Sequence, residues 1–444
     1  MGSGPSGFYA TEALFKSGKN VFVDMYERLP VPYGLVRHGV APDHPKLKQA
    51  TQFYDKIARA PNHRFVGNVC VGRDLTVTEL REAYHAIIFT CGAEADRKLG
   101  IPGEDLTGSH TAMEFAGWYN GHPDYCDHHF DLSREVAVII GQGNVAADVC
   151  RILAKTVDEL KNTDIAQHAL EALAESRVRE IHIIGRRGPA QARFSNKELL
   201  ELGELANADV IVAPEALELN PESETELADR NNVTSMRNVE IFQSFAGRSA
   251  TIKRRRCHFH FLKSPVELRG RQRLESVVLE RNKLEGSPFN QAARGTGEKM
   301  ELPCGLLFCS IGHKGVPVSG VSFDERKGVF ANEEGRLRDG NGTVPGLYCA
   351  GWIKRGPTGV IATNRGDSAA TVNALLADLA LLDSGEDRKG MDAICPLLAK
   401  RGIKHVSFED WLKIDAAEVR RGESRGKPRE KFTRVREMLK AIDS

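Results

Sequence analysis

Two glycine-rich turns, each opening a helix, constrain the fold of this chain more than any other feature. Gly2–Gly7 reads GSGPSG and Gly141–Ala146 reads GQGNVA, and their first glycines lie 139 residues apart. In a GxGxxG turn the first glycine permits the tight bend, the second lets the backbone approach a pyrophosphate, and the third small residue lets helix and strand pack closely. Backbone amides at the helix start then face the phosphates. The repetition predicts two dinucleotide sites on one chain.

Apolar runs of strand length alternate with helical patterns, which predicts an α/β fold with parallel sheets covered by helices. We expect a helix over residues 5–17 and strands over 20–26, 86–90 and 136–140. No apolar run reaches the roughly 18 residues of a membrane-spanning helix. The formal net charge of +1 does not suit a polycation that coats nucleic acid. Neither a transmembrane segment nor a nucleic-acid partner is therefore expected.

Three further segments carry expectations of their own. Residues 215–229 contain six carboxylates and predict a solvated insertion, and residues 420–436 contain eight basic residues and predict a surface tail. No apolar strand precedes the first turn, so the first strand of that unit is expected to be missing. The nine cysteines are scattered and form no CxxC, which is typical of small buried side chains in a reducing compartment.

The residues that end the next strand predict which nucleotide each turn prefers. Glu27 follows the first turn by 20 residues, and an acid there can accept hydrogen bonds from a ribose diol but repels a 2′-phosphate. Arg186 and Arg187 end the strand after the second turn, where paired guanidinium groups match a phosphate. The first turn thus favours FAD or NAD, and the second favours NADP(H). Both sets of charges could instead be ordinary solvated side chains.

Three long segments resemble one family. They are YERLPVPYGLVRHGVAPDHP (residues 26–45), GRRGP (185–189) and YCAGWIKRGPTGVIA (348–362), and the similarity extends through WYNG (118–121) to GKPREK (426–431). Together they resemble the adrenodoxin reductase family, the mitochondrial NADPH:ferredoxin oxidoreductases. The resemblance implies two Rossmann-like domains, with an NADP-binding domain (101–315) inserted into a discontinuous FAD-binding domain (1–100 and 316–444, including the C-terminal tail).

The resemblance also implies functional positions. The FAD contacts are Gly2, Gly4, Ser6, Gly7, Glu27, Leu35, Val71, Trp352, Gly359, Val360 and Ile361. The NADP contacts are Gln142, Gly143, Asn144, Val145, Arg186, Arg187, Glu198 and again Gly359. His44 and Asp148 are the catalytic pair near the flavin, where we expect them to orient the nicotinamide and tune the local field. Taken without the resemblance, His44 could equally be an ordinary loop histidine.

The activity implied by the resemblance is hydride transfer from NADPH to FAD, followed by single-electron transfer to an acidic [2Fe-2S] ferredoxin of the adrenodoxin type. Mitochondrial cytochrome P450 and iron–sulfur pathways are the implied users, with the protein in the mitochondrial matrix and peripheral to the inner membrane. An acidic partner needs a basic docking face. The candidates are Lys253, Arg254, Arg255, Arg256, Lys354, Arg355 and Arg193, while relatives concentrate docking arginines where this chain has the acidic residues 215–229, with Arg230 and Arg237 after them.

Two other functions remain open at this stage. A thioredoxin-reductase-like flavoenzyme shares the plan of two dinucleotide sites, but it requires a redox-active cysteine pair of a spacing that this chain lacks. The missing first strand leaves a second alternative, an N-terminally truncated isoform that is inactive because it binds no FAD. A central parallel strand supplies ladder partners and apolar burial on both faces, so its loss would weaken the first site.

Overall fold

The computed structural model describes residues 1–248, 251–382 and 388–443, which divide into two compact units. The flanking unit contains Met1–Val40, His44–Arg97 and the chain from Gly312 onward, and the central unit contains Ala41–Asp43 and Lys98–Ile311. The domain boundaries predicted from the sequence fall after residues 100 and 315, whereas the unit boundaries fall after residues 97 and 311. No helix of the described ranges is both long enough and apolar enough to cross a bilayer.

The strands of the described residues are β1 (Val23–Tyr26), β2 (His63–Val66), β3 (Ile87–Phe89), β4 (Ala95–Asp96), β5 (Ser109–Thr111), β6 (Val136–Ile140), β7 (Glu180–Ile184), β8 (Ala208–Val212), β9 (Arg255–His260), β10 (Lys263–Arg269), β11 (Ser276–Glu285), β12 (Ala292–Pro303), β13 (Leu306–Cys309), β14 (His313–Lys314), β15 (Phe323–Asp324), β16 (Val329–Phe330), β17 (Asn332–Glu333), β18 (Arg336–Asp339) and β19 (Gly342–Cys349).

The helices of the described residues are α1 (Pro5–Phe15), α2 (Leu35–His38), α3 (Pro45–Lys48), α4 (Ala50–Ala58), α5 (Val77–Ala83), α6 (Ala112–Tyr119), α7 (Asn144–Ala154), α8 (Val157–Leu160), α9 (Gln167–Ala174), α10 (Asn196–Leu202), α11 (Pro221–Ala228), α12 (Val233–Ala246), α13 (Trp352–Arg355), α14 (Thr363–Ala377), α15 (Leu379–Leu382), α16 (Met391–Lys400), α17 (Phe408–Glu423) and α18 (Val435–Ile442). Short 3-10 helices cover Pro189–Gln191 and Pro214–Leu217.

The central unit is built on a six-stranded parallel sheet in the order β5-β13-β6-β7-β9-β8. Both faces of β6 are covered. Ala137 and Ile139 pack among the helices, and Val138 and Ile140 pack toward the small antiparallel sheet β10-β11-β12. Burial on both faces explains why this strand reads as an unbroken apolar run. The strand order reverses at β6, and ligands bind beyond the carboxyl ends of the strands at such a reversal. The second turn lies there.

In the flanking unit, the first glycine-rich turn lies between two strands that belong to separate sheets. β1 pairs with β2, and β3 pairs in parallel with β19. The amino group of Met1 donates to the carbonyl of Ile88 (2.8 Å), and the amide of Gly2 donates to the carbonyl of Tyr26 (2.8 Å). Met1 and Gly2 therefore hydrogen-bond to both flanking strands, and the chain enters α1 from between β1 and β3. These parallel pairings confirm the predicted α/β class.

Two segments differ from their predicted solvated character. Residues 215–229 contain α11, in which the Glu226 carboxylate is buried and accepts hydrogen bonds from the side-chain amides of Gln191 (2.9 Å) and Gln291 (2.7 Å). In the basic tail, Lys427 is buried and paired with Glu430 at 2.7 Å. The prediction was wrong for these positions because charge composition alone does not show which carboxylates and ammonium groups find buried partners.

Candidate functional site: two glycine-rich turns

The first turn is held in shape by close backbone contacts at two of its glycines. Gly2 has a φ of +99°, and a Cβ there would lie 2.5 Å from the carbonyl oxygen of Thr90. A Cβ on Gly7 would lie 2.3 Å from the carbonyl oxygen of Gly2, whereas one on Gly4 would meet nothing within 4 Å. The first and third glycines are thus required by the fold itself. The second faces open space, as a pyrophosphate would need.

Polar groups beside this turn are available to a ligand. The amides of Gly4 and Ser6 find no acceptor within the part of the chain that the structure describes. The Ser6 side chain is turned away, toward Asn364 of α14 (Oγ to Oδ1, 3.2 Å). Unsatisfied amides at a helix N-terminus, together with the helix dipole, suit a phosphate. The residues present therefore fit the pyrophosphate of FAD.

Glu27 lies directly against the first turn. Its Oε2 accepts hydrogen bonds from the amide (3.1 Å) and the hydroxyl (2.8 Å) of Ser3, and its Oε1 accepts one from the amide of Leu29 (3.1 Å). A carboxylate oxygen has more than one lone-pair site, so these bonds orient the group without exhausting it. The carboxylate is half-buried and aligned at the turn, as a ribose contact requires.

The other predicted FAD residues of the amino-terminal segment lie in different surroundings. Leu35 is exposed and begins α2 just after Gly34, and a Cβ on Gly34 would lie 3.0 Å from the Cα of Gly4. Leu35 is therefore adjacent to the first turn. Val71 is buried within the apolar cluster formed by β2, β3 and α5. Its side chain fills that core, so any ligand contact there would be made by backbone.

Trp352 begins α13 at the end of β19 and presents an unsatisfied donor. Its indole Nε1 is buried without a hydrogen-bond partner among the described residues, and its ring stacks on His313 with centroids 6.0 Å apart. Asp367 holds the base of this loop by accepting from the amide of Gly351 (2.5 Å) and pairing with Lys354 (3.2 Å). A buried indole N–H ordinarily finds a partner. The orphaned donor therefore fits a cofactor that lies against this loop.

Residues Gly359, Val360 and Ile361 lie in the loop between α13 and α14. Gly359 and Val360 are exposed, and Ile361 packs partly against the apolar cluster that contains Phe8 and Trp411. Gly359 has a φ of +80°, and a Cβ there would lie 2.7 Å from the Thr363 hydroxyl. The exposure of this loop leaves its backbone open to a ligand.

The second turn repeats the backbone design of the first. Gly141 has a φ of +136°, and a Cβ there would lie 2.1 Å from the carbonyl oxygen of Ser310, while one on Gly143 would meet nothing within 4 Å. Ala146 occupies the third position and is fully buried. The Asn144 side chain accepts from the amide of Ser195 (2.7 Å), and the Gln142 side chain donates to the carbonyl of His260 (3.2 Å). Val145, the remaining predicted turn residue, packs against the core.

Arg186 and Arg187 follow β7 at the same edge of the sheet and are joined by Arg193. The amide of Arg193 donates to the carbonyl of Gln142 in the second turn (2.8 Å). Among the described residues none of the three guanidinium groups forms an ion pair. Partial burial and the neighbouring charges of Arg193 and Arg186 lower the pKa of Arg187. Three unneutralised arginines beside a dinucleotide turn fit a phosphate.

Asp148, the fifth residue of α7, belongs to a buried charge cluster around Arg151. Arg151 donates to Asp148 (2.6 Å), Asp43 (2.6 Å) and Glu198 (2.9 Å). Burial raises the pKa of Asp148 to about 7, because one guanidinium shared among three carboxylates does not offset the loss of water. The pKa of Asp43 is instead held far below its usual range, because Arg151 binds it directly and Lys155 also pairs with it at 2.7 Å.

The remaining predicted site residues are His44 and Glu198. His44 is buried and stands at the amino-terminal end of α3, where its carbonyl accepts from the amide of Leu47 (3.1 Å). Glu198, predicted as an NADP contact, is also buried and binds Arg151 through Oε2. Arg151 itself was missed. The available signal was a cation inside the apolar helix α7, three residues after Asp148.

Several candidate docking residues are engaged inside their own units. Arg255 is buried and donates to the carbonyls of Val178 (3.0 Å) and Ala154 (3.0 Å), so the expectation that it docks a partner was wrong. Lys354 pairs with Asp367, and Arg256 binds Glu180 through Nε at 2.7 Å. A charge that is already neutralised contributes little to attracting an acidic protein.

One chain with two glycine-rich turns, one facing a carboxylate and the other facing a group of arginines, defines an oxidoreductase of the two-dinucleotide class. A scan against models of protein families finds no match. The mitochondrial NADPH:adrenodoxin oxidoreductase of Salvelinus fontinalis is 46% identical over 450 residues, which cover 99% of this chain and 89% of the relative. The chain belongs to the family of NADPH:adrenodoxin and NADPH-ferredoxin oxidoreductases.

A bacterial relative and its solved structure give the same result. NADPH-ferredoxin reductase FprA of Mycobacterium tuberculosis is 44% identical over 451 residues, with 99% of this chain and 97% of the relative covered. The structure of M. tuberculosis FprA in complex with NADPH superposes with a TM-score of 0.94 and covers 100% of this chain and 98% of that one, at 42% identity. The resemblance seen in the sequence is thereby confirmed.

Proposed function

We propose that this protein binds FAD at the first turn and NADP(H) at the second, takes a hydride from NADPH and passes single electrons to a ferredoxin. The observation that carries this proposal is the opposite charge beside two turns of the same backbone design. Glu27 suits a free ribose, and the arginines suit a 2′-phosphate. The enzyme is an NADPH:ferredoxin oxidoreductase.

On the NADPH side, Arg186 and Arg187 bind the 2′-phosphate, and we assign Arg193 to the same group. Residues 142–145 hold the pyrophosphate at the start of α7, where Gly143 leaves space for it. Hydride transfer depends on the orientation of the nicotinamide more than on proton transfer, because the hydride carries both electrons. We assign that orientation to His44 and Asp148.

On the flavin side, the amides of Gly4 and Ser6 bind the pyrophosphate, and Glu27 binds the adenosine ribose. Leu35, the backbone at Val71, the Trp352 indole and residues 359–361 line the rest of the cofactor, with Gly359 also assigned to NADP(H). Bound FAD supplies the conversion of a two-electron donor into one-electron steps.

The decisive experiment is a cofactor and substrate test on the purified full chain. We expect yellow protein with one FAD per chain, and ferricyanide reduction with a kcat/KM for NADPH at least about 100-fold above that for NADH, as charge-assisted phosphate contacts would give. Protein that folds but stays colourless would contradict the proposal and favour the inactive isoform. A ratio near one between the kcat/KM values for NADPH and NADH would contradict only the assignment of the arginines to the 2′-phosphate.

The proposed partner is an acidic [2Fe-2S] ferredoxin of the adrenodoxin type. Opposite charges steer such encounters and are screened by salt, so ferredoxin-dependent cytochrome c reduction should fall steeply between low and high ionic strength. Ferricyanide reduction by the same preparation should change much less. Equal salt dependence of the two reactions would contradict electrostatic docking.

We further propose the mitochondrial matrix as its location, peripheral to the inner membrane, with cytochrome P450 and iron–sulfur pathways as electron acceptors. The support is the similarity to mitochondrial relatives, although the bacterial FprA is about equally similar. Fractionation of source cells tests this location, and recovery outside a mitochondrial fraction would contradict it.

A thioredoxin-reductase-like activity is not favoured by the structure. The cysteines of the described residues are free, and Cys150 and Cys257, whose sulfurs lie 3.4 Å apart, are both buried in the core of the central unit. A dithiol that reduces a protein substrate must be reachable. Reduction of a disulfide substrate by NADPH is therefore expected to be undetectable.

A further inference from the structure

A column of imidazole side chains lies on one face of the parallel sheet of the central unit. His182 of β7 is directly opposite His258 of β9 in the parallel register, and Glu180 lies two residues before His182 on the same face. Ile181 and Ile183 alternate with them and enter the apolar core. The column is half-buried, so it is neither part of the core nor freely solvated.

The side chains of this column already converge. The Nε2 of His258 lies 2.6 Å from the Oε2 of Glu180, and the rings of His182 and His258 stack with centroids 4.6 Å apart and planes 11° from parallel. One ring nitrogen of each histidine and one carboxylate oxygen of Glu180 all lie within 4.8 Å of one another. Two imidazoles and a carboxylate form a donor set that zinc uses in proteins.

We propose that Glu180, His182 and His258 bind one divalent transition-metal ion of the zinc class, with a water completing the coordination. Donor atoms in a tetrahedral zinc site lie about 2.0–2.2 Å from the ion and so about 3.3 Å from each other. The three donors need to approach by no more than about 1.5 Å, which side-chain rotation provides. The side chains of Glu180 and His258 remain 21% and 22% exposed, which leaves an entry path.

The neighbours of the column are arranged as supporting groups. Arg256 binds Glu180 through Oε1 and so leaves Oε2 for the ion. The Nδ1 of His182 lies 3.0 Å from the Nε2 of His260, a contact that orients the His182 ring. Partners of this kind fix the orientation of metal ligands. The positive charges of Arg256 and of Lys263, whose Nζ lies 3.4 Å from His260 Nδ1, weaken binding. We therefore expect a dissociation constant on the order of micromolar.

The test uses tag-free, flavin-loaded protein that has been stripped with chelator. Calorimetric titration with Zn²⁺ should show one saturable site per chain, and Co²⁺ should give ligand-field bands at wavelengths beyond the flavin absorption. His258→Ala and His182→Ala should each weaken Zn²⁺ binding by about 100-fold. His260→Ala should weaken it by about 10-fold, as loss of a supporting group does.

The matched control is His129→Ala, which removes an exposed histidine of the same unit and should leave the affinity unchanged. Circular dichroism of each variant establishes that it folds. If either alanine variant does not fold, Glu180→Gln is used in its place, because it also changes a proposed ligand. Absence of saturable Zn²⁺ binding by the wild-type chain would overturn the proposal. Equal affinity in the wild-type chain and the folded ligand variants would overturn it as well, since the histidines would then only fill the face of the sheet.

Discussion

The two glycine-rich turns share a backbone and differ in what surrounds it. In each, the first glycine has a positive φ and packs against the carbonyl of the residue that follows a strand, and the second glycine faces open space. At the third position Gly7 lies too close to Gly2 for any side chain, whereas Ala146 is buried without difficulty. Beside the first turn stands a carboxylate held by Ser3. Beside the second stand arginines that form no ion pair with the residues the structure describes. The backbone thus provides for a pyrophosphate, and the residues after the next strand select the nucleotide.

The charge difference between the turns gives the largest expected effect. Arg186→Ala combined with Arg187→Ala removes two charge-assisted contacts worth about 1.5–3 kcal/mol each, so the KM for NADPH should rise by at least about 100-fold. The KM for NADH, which lacks the 2′-phosphate, should change little. Steady-state ferricyanide reduction with both nucleotides measures this. Arg271→Ala, an exposed arginine of the same unit, is the control, and an equal loss with both nucleotides would contradict phosphate recognition.

The third position of the first turn gives the next effect. Gly7→Ala places a methyl group where it would lie 2.3 Å from a backbone carbonyl, so the turn must move, at a cost of about 3 kcal/mol. We expect loss of FAD, read as flavin absorbance per chain after gel filtration. Gly4→Ala is a useful companion because its Cβ would meet no atom of the described residues within 4 Å. It should lower flavin content without changing the thermal stability of the apoprotein. Full flavin content in Gly7→Ala would contradict the role of this position.

The buried charges of α7 predict a pH dependence. The pKa of Asp148 is raised to about 7, so the folded state holds a proton that the unfolded state releases near pH 4. This contribution to the free energy of unfolding is present at low pH and declines as the pH rises through 7, by at most about 1.4 kcal/mol per unit. Asp148→Asn should remove that slope between pH 4 and pH 7.

Urea unfolding of the wild-type chain and the variant at several pH values checks this. Asp158→Asn, an exposed acid of the same unit, is the control and should retain the slope. Asp43 has a lowered pKa, so its contribution has the opposite sign and is lost only as the pH falls through and below about 4. An unchanged slope in Asp148→Asn would show that the raised pKa belongs to another group of the cluster.

The smallest effect is expected at the third position of the second turn. Ala146→Gly removes a fully buried methyl group near the start of α7, so helix propensity and the burial of one methyl group are lost, together about 2 kcal/mol. Thermal unfolding should show a small decrease, with the KM for NADPH nearly unchanged. A large rise in that KM would indicate that Ala146 contacts the nucleotide directly and that the two turns differ more than their backbones suggest.

Much of the local structure was predictable because it depends on short-range rules. The strand predicted over 136–140 is β6, residue for residue, since β-branched side chains buried on both faces leave a distinctive run. The helix predicted over 5–17 ends at Phe15, and the strand predicted over 20–26 begins only at Val23. Ends of elements depend on capping and pairing partners, which periodicity does not reveal.

By itself, the sequence determined the family, the α/β class, the two turns and the opposite charges beside them, because glycine spacing and strand-end residues act locally. Only the tertiary structure decided which charges are free. Arg151 is buried among three carboxylates, and Glu226 of the acidic insertion is buried as well. Arg255 binds carbonyls inside the central unit, and Arg193 lies beside the second turn. The tertiary structure also aligned His182 with His258 across two strands. The reason is physical: the free energy of a charge depends on its burial and its partners, and both come from residues distant in the chain.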